Sequence, residues 1–205
     1  NLTERFDNLI LTYLNKYPET CYINLSSGAV YSVACDDIRP EYYYGIAKLY
    51  QEAKHRSLSK LNIVDIRIFS YFSRFIDLNS GFFLTEVIKC IKTKTIFETD
   101  SSDFIRDYLS PHDFFNLVCL IIKKRPYNFG IDAYSAAPVS KFKLLEFLTK
   151  KYALKCKIKD SLKLDSPTGK KAAYFSRSRK AFTLLGYKPK DSSLKTITTE
   201  ITHLL

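Results

Sequence analysis

Tyr44 and Lys48 stand four residues apart in the segment EYYYGIAKLYQE, residues 41–52, whose spacing predicts a helix. At i and i+4 the two side chains share one helix face. An ammonium held near a phenol favours the phenolate, so the pair is suited to giving and taking a proton. Upstream, the apolar run 21–25 reads as a short buried strand and delivers a hydroxyl-rich turn, Ser26-Ser27-Gly28. A hydroxyl at that strand end can hold a carbonyl or an alcohol against the phenol. Together these are the parts of a proton relay for oxidising a carbinol or reducing a ketone. Tyr42 and Tyr43 have no lysine four residues on, which leaves Tyr44.

The elements that must position these residues follow from periodicity. Residues 3–16 place Phe6, Leu9, Ile10, Tyr13 and Leu14 at helical spacing behind Thr3, and Pro18 stops that helix. The strand at 21–25 comes next, then a helix over 41–58 carrying Tyr44 and Lys48. The β-branched run NIVDIRIF, 62–69, reads as the following strand. Helix, strand, helix, strand in this order predicts a parallel sheet with crossover helices. Beyond Phe69 an irregular loop, 70–80, leads to a helix at 82–93 and a short strand at 94–98. A helix over 111–124, a strand at 126–130 and an amphipathic helix at 140–152 follow. A polar loop at 161–171 precedes helices at 176–185 and 193–204, which flank a turn around Gly186 and Pro189.

Composition excludes several classes. With 46% hydrophobic residues in 205, the chain can bury a substantial core and is not disordered. The net charge of +11 is spread along the chain among acids, with no arginine-rich stripe, so no nucleic-acid partner is expected. The longest apolar stretch, 114–122, is too short to span a bilayer, and no membrane partner is expected either. The five cysteines are scattered singly, which suits free thiols in a reducing, cytoplasmic setting. The three histidines, 55, 112 and 203, make no metal-ligand pattern, and no metal is expected.

Joined to the serine strand, the Tyr44/Lys48 pair resembles the extended branch of the short-chain dehydrogenase/reductase superfamily, which works on nucleotide sugars. Ser27, Tyr44 and Lys48 match that family's catalytic Ser/Tyr/Lys; Ser27 is the match because it stands four before the tyrosine of Val30-Tyr31. The resemblance implies an α/β fold, a Rossmann-like parallel sheet with a small α+β substrate domain. Residues 1–69 and 111–131 would belong to the NAD(P)-binding domain, and 70–110 and 132–205 to the nucleotide-sugar domain. It implies NAD or NADP as cofactor, contacted by Tyr44, Lys48 and Phe69, and a nucleoside-diphosphate sugar as substrate. Arg67-Ile68-Phe69-Ser70 is similar to the family's Arg-x-Phe-Asn segment, with Ser70 in place of the asparagine at the sugar nucleotide. Arg106-Asp107-Tyr108 matches a segment whose arginine pairs with phosphates, a task that suits a planar, two-pronged donor. Lys170 is a candidate for a second phosphate contact.

Two departures from the family pattern matter. The sequence contains no glycine-rich G-x-x-G-x-x-G turn, so the chain is expected to hold the C-terminal portion of the pattern, with the first strands of the sheet not included. Gly28-Ala29 follows Ser27 where family dehydratases carry Asp-Glu, and neither residue can move a proton, which disfavours a dehydratase. The resemblance therefore implies an epimerase or 4-ketoreductase, with a homodimer as a possible assembly. The alternative is a catalytically inactive fold remnant that at most binds a nucleotide sugar or a protein partner.

Overall fold

The computed structural model describes residues 2–33, 39–159 and 171–205. In chain order the elements are α1 (Leu2–Lys16), β1 (Tyr22–Ser27), two 3-10 turns (Gly28–Ser32 and Pro40–Tyr42), α2 (Tyr43–Ser57) and β2 (Ile63–Ile68). Then come β3 (Ser70–Tyr71), α3 (Phe83–Thr93), β4 (Ile96–Thr99), β5 (Ile105–Arg106), β6 (Tyr108–Leu109) and α4 (Pro111–Lys124). The chain ends with β7 (Asn128–Ala133), β8 (Val139–Ser140), α5 (Lys141–Tyr152), β9 (Lys155–Ile158), β10 (Ala173–Tyr174), α6 (Lys180–Leu185) and α7 (Ser193–Ile201).

These elements form two compact units. The first comprises Asn1–Phe69, His112–Tyr134 and Ser176–Lys188; the second comprises Ser70–Pro111, Ser135–Phe175 and Pro189–Leu205. The sequence had assigned all of 132–205 to one domain, yet Ser176–Lys188 lies in the first unit. Two hydrogen bonds tie it there: Ser176 Oγ donates to Asp132 at 2.6 Å, and the Tyr187 hydroxyl donates to the Tyr134 carbonyl at 2.9 Å.

The first unit is built on a parallel sheet of order β1-β2-β7, the α/β architecture expected from the alternation of helices and strands. Ile63, Val64, Ile66 and Ile131 are fully buried in it. Leu11 and Leu14 of α1 pack with Leu61 and Ile63 in a separate small cluster. β7 starts at Asn128 rather than at Pro126, since proline has no N–H to give to a ladder.

The second unit gathers its apolar side chains into one cluster, with Phe72, Leu84, Val87, Ile88, Phe97, Leu144, Leu148, Ile197 and Ile201 among its members. Ser140 and Ser192 cap α5 and α7 by accepting from Lys143 N and Lys195 N. Short strands β5, β8 and β10 form one sheet, and β3–β6 and β4–β9 form two-stranded ladders. Strand β9 was not expected. Every residue in it is exposed, so it carries no burial pattern to read. α6 begins four residues later than expected because Ser176 and Ser178 hydrogen-bond the backbone N–H groups of Ser178 and Lys180, an alternative to the helical ladder.

Candidate active site

Ser27 is the last residue of β1, in extended conformation, and it turns the chain into the first 3-10 segment. Its Oγ accepts from the Ala29 N–H at 3.2 Å, as an N-cap does. The start of α2 comes down on this turn. A Cβ on Gly45 would lie 2.6 Å from the Ala29 carbonyl oxygen, so only glycine allows the approach. One helical turn further on, Lys48 Nζ donates to the Leu25 carbonyl at 2.9 Å. The helix therefore touches the chain at Leu25 and at Ala29, two residues to either side of Ser27. Tyr44, beside Gly45 at the head of the helix, is 56% exposed.

Burial pushes the Lys48 pKa below the usual lysine value, while the carboxylates of Asp65, Glu52 and Asp7 act in the opposite sense. An ammonium has three donors, and Leu25 takes one of them. That donor set fits a ribose diol.

Phe69 follows β2 and is buried. Its ring lies on Gly28, where a Cβ would come within 2.4 Å of it, and it stacks on Tyr31 with centroids 6.2 Å apart. Phe69 thus sits against the residue that follows Ser27. In the second unit Ser70 opens β3 and pairs with Tyr108 of β6. Arg106 of β5 is half-buried: its Nη1 donates to the Ile105 carbonyl at 3.0 Å and the Lys171 carbonyl at 2.7 Å, and its guanidinium lies 4.4 Å from the Phe104 ring centroid. Burial holds its pKa below the usual arginine value, with the tyrosines 108 and 174 opposing. Lys170 lies outside the described residues. The structure thus gathers Ser27, Tyr44, Lys48 and Phe69 onto elements of the first unit, and Ser70 and Arg106 onto elements of the second.

Sequence reading missed a set of polar residues beside Ser27. Ser26, Glu52, Arg67, Tyr31, Asp132 and Ser176 form one hydrogen-bonded chain in the first unit. One signal could have found it. Asp65 and Arg67 interrupt a strand of β-branched residues, and a charge in a buried strand demands a partner.

The sequence matches no family model and no curated protein. Solved structures do match its fold. UDP-N-acetylglucosamine 4-epimerase from Methanobrevibacter ruminantium M1, in complex with UDP-N-acetylmuramic acid, superposes with a TM-score of 0.77 at 16% identity, over 97% of this chain and 67% of that one. UDP-glucose 4-epimerase from Thermotoga maritima, with UDP-glucose, gives 0.74 at 16% identity, over 97% and 67%. UDP-glucuronic acid 4-epimerase from Bacillus cereus, with UDP-glucuronic acid and NAD, gives 0.70 at 21%, over 89% and 60%. The fold is theirs. It is a Rossmann-like α/β fold, and the chain spans 60% to 67% of the length of these three enzymes. Among the described residues, no helix is long and apolar enough to cross a membrane.

Proposed function

We propose that this chain carries the Ser/Tyr/Lys relay of an NAD(P)-dependent nucleotide-sugar epimerase or 4-ketoreductase. The observation that supports this reading most is the way α2 brackets Ser27, with Lys48 on the Leu25 carbonyl and Gly45 against Ala29. Proximity of the helix head to a strand-end hydroxyl is what a proton relay requires, and the C-terminal ends of parallel strands are where open α/β sheets take their ligands. The likeness in fold to enzymes solved with UDP-sugars and with NAD points to the same substrate class and cofactor.

In this reading Tyr44 takes the proton from a sugar hydroxyl, or returns it to a ketone, at its phenolic oxygen. Ser27 Oγ hydrogen-bonds the reacting oxygen and holds it against Tyr44. Lys48 stabilises the phenolate and offers its remaining donors to the nicotinamide ribose. Hydride exchange is what the dinucleotide supplies when bound. Phe69 bounds the nicotinamide side, and Ser70, Arg106 and Lys170 are the candidates for the sugar nucleotide. Gly28-Ala29 supplies neither acid nor base for eliminating water, which favours epimerisation or ketone reduction over dehydration. The setting proposed is cytoplasmic, with a homodimer as the assembly.

Tyr44→Phe in the full-length protein keeps the ring and removes the proton carrier. Turnover with a UDP-sugar and NAD or NADP should fall by roughly 10²-fold or more, the usual scale for a general acid/base. Turnover close to that of the native protein would overturn the role of Tyr44.

A further inference from the structure

The sheet face beneath α2 is polar, whereas a parallel sheet covered by helices is ordinarily apolar. Ser26, Arg67 and Asp132 occupy one register position across β1, β2 and β7, and Asn24 and Asp65 occupy the neighbouring one on the same face. Asn24 Nδ2 donates to Asp65 at 2.6 Å, and Arg56 Nη2 donates to the same carboxylate at 2.6 Å. His55 lies 2.8 Å from both Asp65 and Asp7. Such a layer has to be matched group by group, because a buried charge without a partner is costly.

Glu52 holds the end of this layer nearest the relay. It is buried, and it stands one helical turn beyond Lys48 on the same face of α2. Its Oε1 accepts from Ser26 Oγ at 2.5 Å and from Arg67 Nε at 3.0 Å; its Oε2 accepts from Arg67 Nη2 at 2.5 Å and Nε at 3.0 Å. Arg67 is fixed in turn. Its Nη1 donates to the Tyr31 hydroxyl at 2.6 Å, and that hydroxyl donates to Asp132 at 2.9 Å. A guanidinium engaging both oxygens of a carboxylate sets direction as well as distance. Glu52 therefore holds the side chain of Ser26 while Lys48 holds the carbonyl of Leu25. These are adjacent residues of β1, immediately before Ser27.

We propose that Glu52 is a positioning residue for the relay: clamped between Ser26 and Arg67, it fixes the face of α2 that sets Lys48, and Tyr44 one turn before it, beside the Ser27 turn. Its purpose rests on the relay reading above, but the clamp can be tested with no turnover. The titratable and charged groups of the surrounding layer are Asp7 on α1, Tyr22 on β1, Tyr31 in the first 3-10 turn, Asp65 and Arg67 on β2, Asp132 on β7, Lys180 on α6, and Lys48, Glu52, Lys54, His55 and Arg56 on α2. Glu52 contributes both the hold on β1 and one of the negative charges that favour the Lys48 ammonium.

The experiment is acylation of lysines in the full chain at about pH 8.5, read residue by residue by mass spectrometry with exposed Lys150 as internal reference. Thermal unfolding of each variant serves as the check on folding. Glu52→Gln should raise the labelling of Lys48 relative to Lys150 by roughly threefold or more, the change that half a pKa unit gives. Ser26→Ala removes one clamp bond and no charge, and should raise the ratio by a smaller factor in a folded protein. A mere structural brace would lower the unfolding midpoint and leave the ratio at its native value. That result overturns the proposal, and Ser26→Ala alone decides it should Glu52→Gln fail to fold. No dinucleotide or sugar enters the assay, so failure of the relay reading at Tyr44 is a separate outcome.

Discussion

The polar layer of the first unit and Asp107 of the second bury carboxylates in opposite ways, while Glu200 of the second unit is paired with Arg74. In the first, Asp7, Glu52 and Asp65 each lie within hydrogen-bond reach of cationic side chains: Asp7 meets Lys54 and His55, Asp65 meets His55 and Arg56, and Glu52 meets Arg67. Hydrogen bonds from Gln51, His55 and Lys54 outweigh burial and leave the Asp7 carboxyl below the usual range. In the second unit, Asp107 is just as buried, but its partners among the described residues are uncharged: the Ser135 N–H at 3.0 Å and Ser193 Oγ at 3.4 Å. Burial wins there, and the Asp107 pKa rises. The difference teaches where a charge is being used. A compensated layer keeps its buried acids ionised against cationic partners, whereas an uncompensated acid carries a cost that other contacts of the unit must offset.

The largest expected effect comes from breaking the compensated layer. Arg67→Met leaves Glu52 and Asp132 buried without their guanidinium, and removal of one partner from a buried pair costs about 3–5 kcal/mol. Denaturant unfolding should register that loss in the first unit. Replacing Glu52 with Gln in the same chain should recover part of it, because the orphaned charge is then gone. A loss below about 1 kcal/mol in the single variant would place the pair among weak, solvent-exposed ones.

This layer also marks the limit of what could be read from the chain. The parallel sheet was legible because periodicity separates β-branched runs such as 62–69 from helical segments such as 3–16, and the candidate pair Tyr44 and Lys48 could be picked out by its fixed spacing. Glu52 was not, since nothing in sequence tells that this acid meets an arginine fifteen residues away. Strands of two residues, such as β5, β6, β8 and β10, are too short for any period to emerge. The grouping of Ser176–Lys188 with the first unit depends on packing and hydrogen bonds between distant residues, and those leave no local signal.

His55 makes the compensated layer dependent on pH. Burial alone would lower its pKa, but hydrogen bonds and charge from Asp65 and Asp7 raise it above the ordinary value. A raised folded pKa stabilises fully below the unfolded value of about 6.5, and that contribution is lost as pH climbs through the folded value. His55→Gln should therefore cost about 1.5–3 kcal/mol at about pH 6, the scale for hydrogen bonds to charged groups. The gap between variant and native protein should narrow as the medium becomes alkaline. Parallel stability curves, with a constant gap from acid to alkali, would mean that His55 is neutral in the fold.

Asp107 gives the smallest effect and the sharpest contrast, because the sign should reverse. For an acid with a raised folded pKa, the folded state holds the proton more tightly than the unfolded chain does. Stability then falls as pH rises from about 3.9 toward the folded value, and the deficit persists above it. Asp107→Asn removes the charge and keeps an oxygen that can accept from the Ser135 N–H. At about pH 7 the variant should be neutral or more stable by up to about 1 kcal/mol, and at about pH 3.5 the gain should vanish, since the native carboxyl is then protonated in both states. The same exchange at Asp65 should instead destabilise, because Arg56, His55 and Asn24 all lose their acceptor charge. Urea titrations of the two variants at both pH values make the comparison. A destabilised Asp107→Asn at neutral pH would show that the hydrogen bonds from Ser135 and Ser193 outweigh burial, and Asp107 would then behave as the acids of the first unit do.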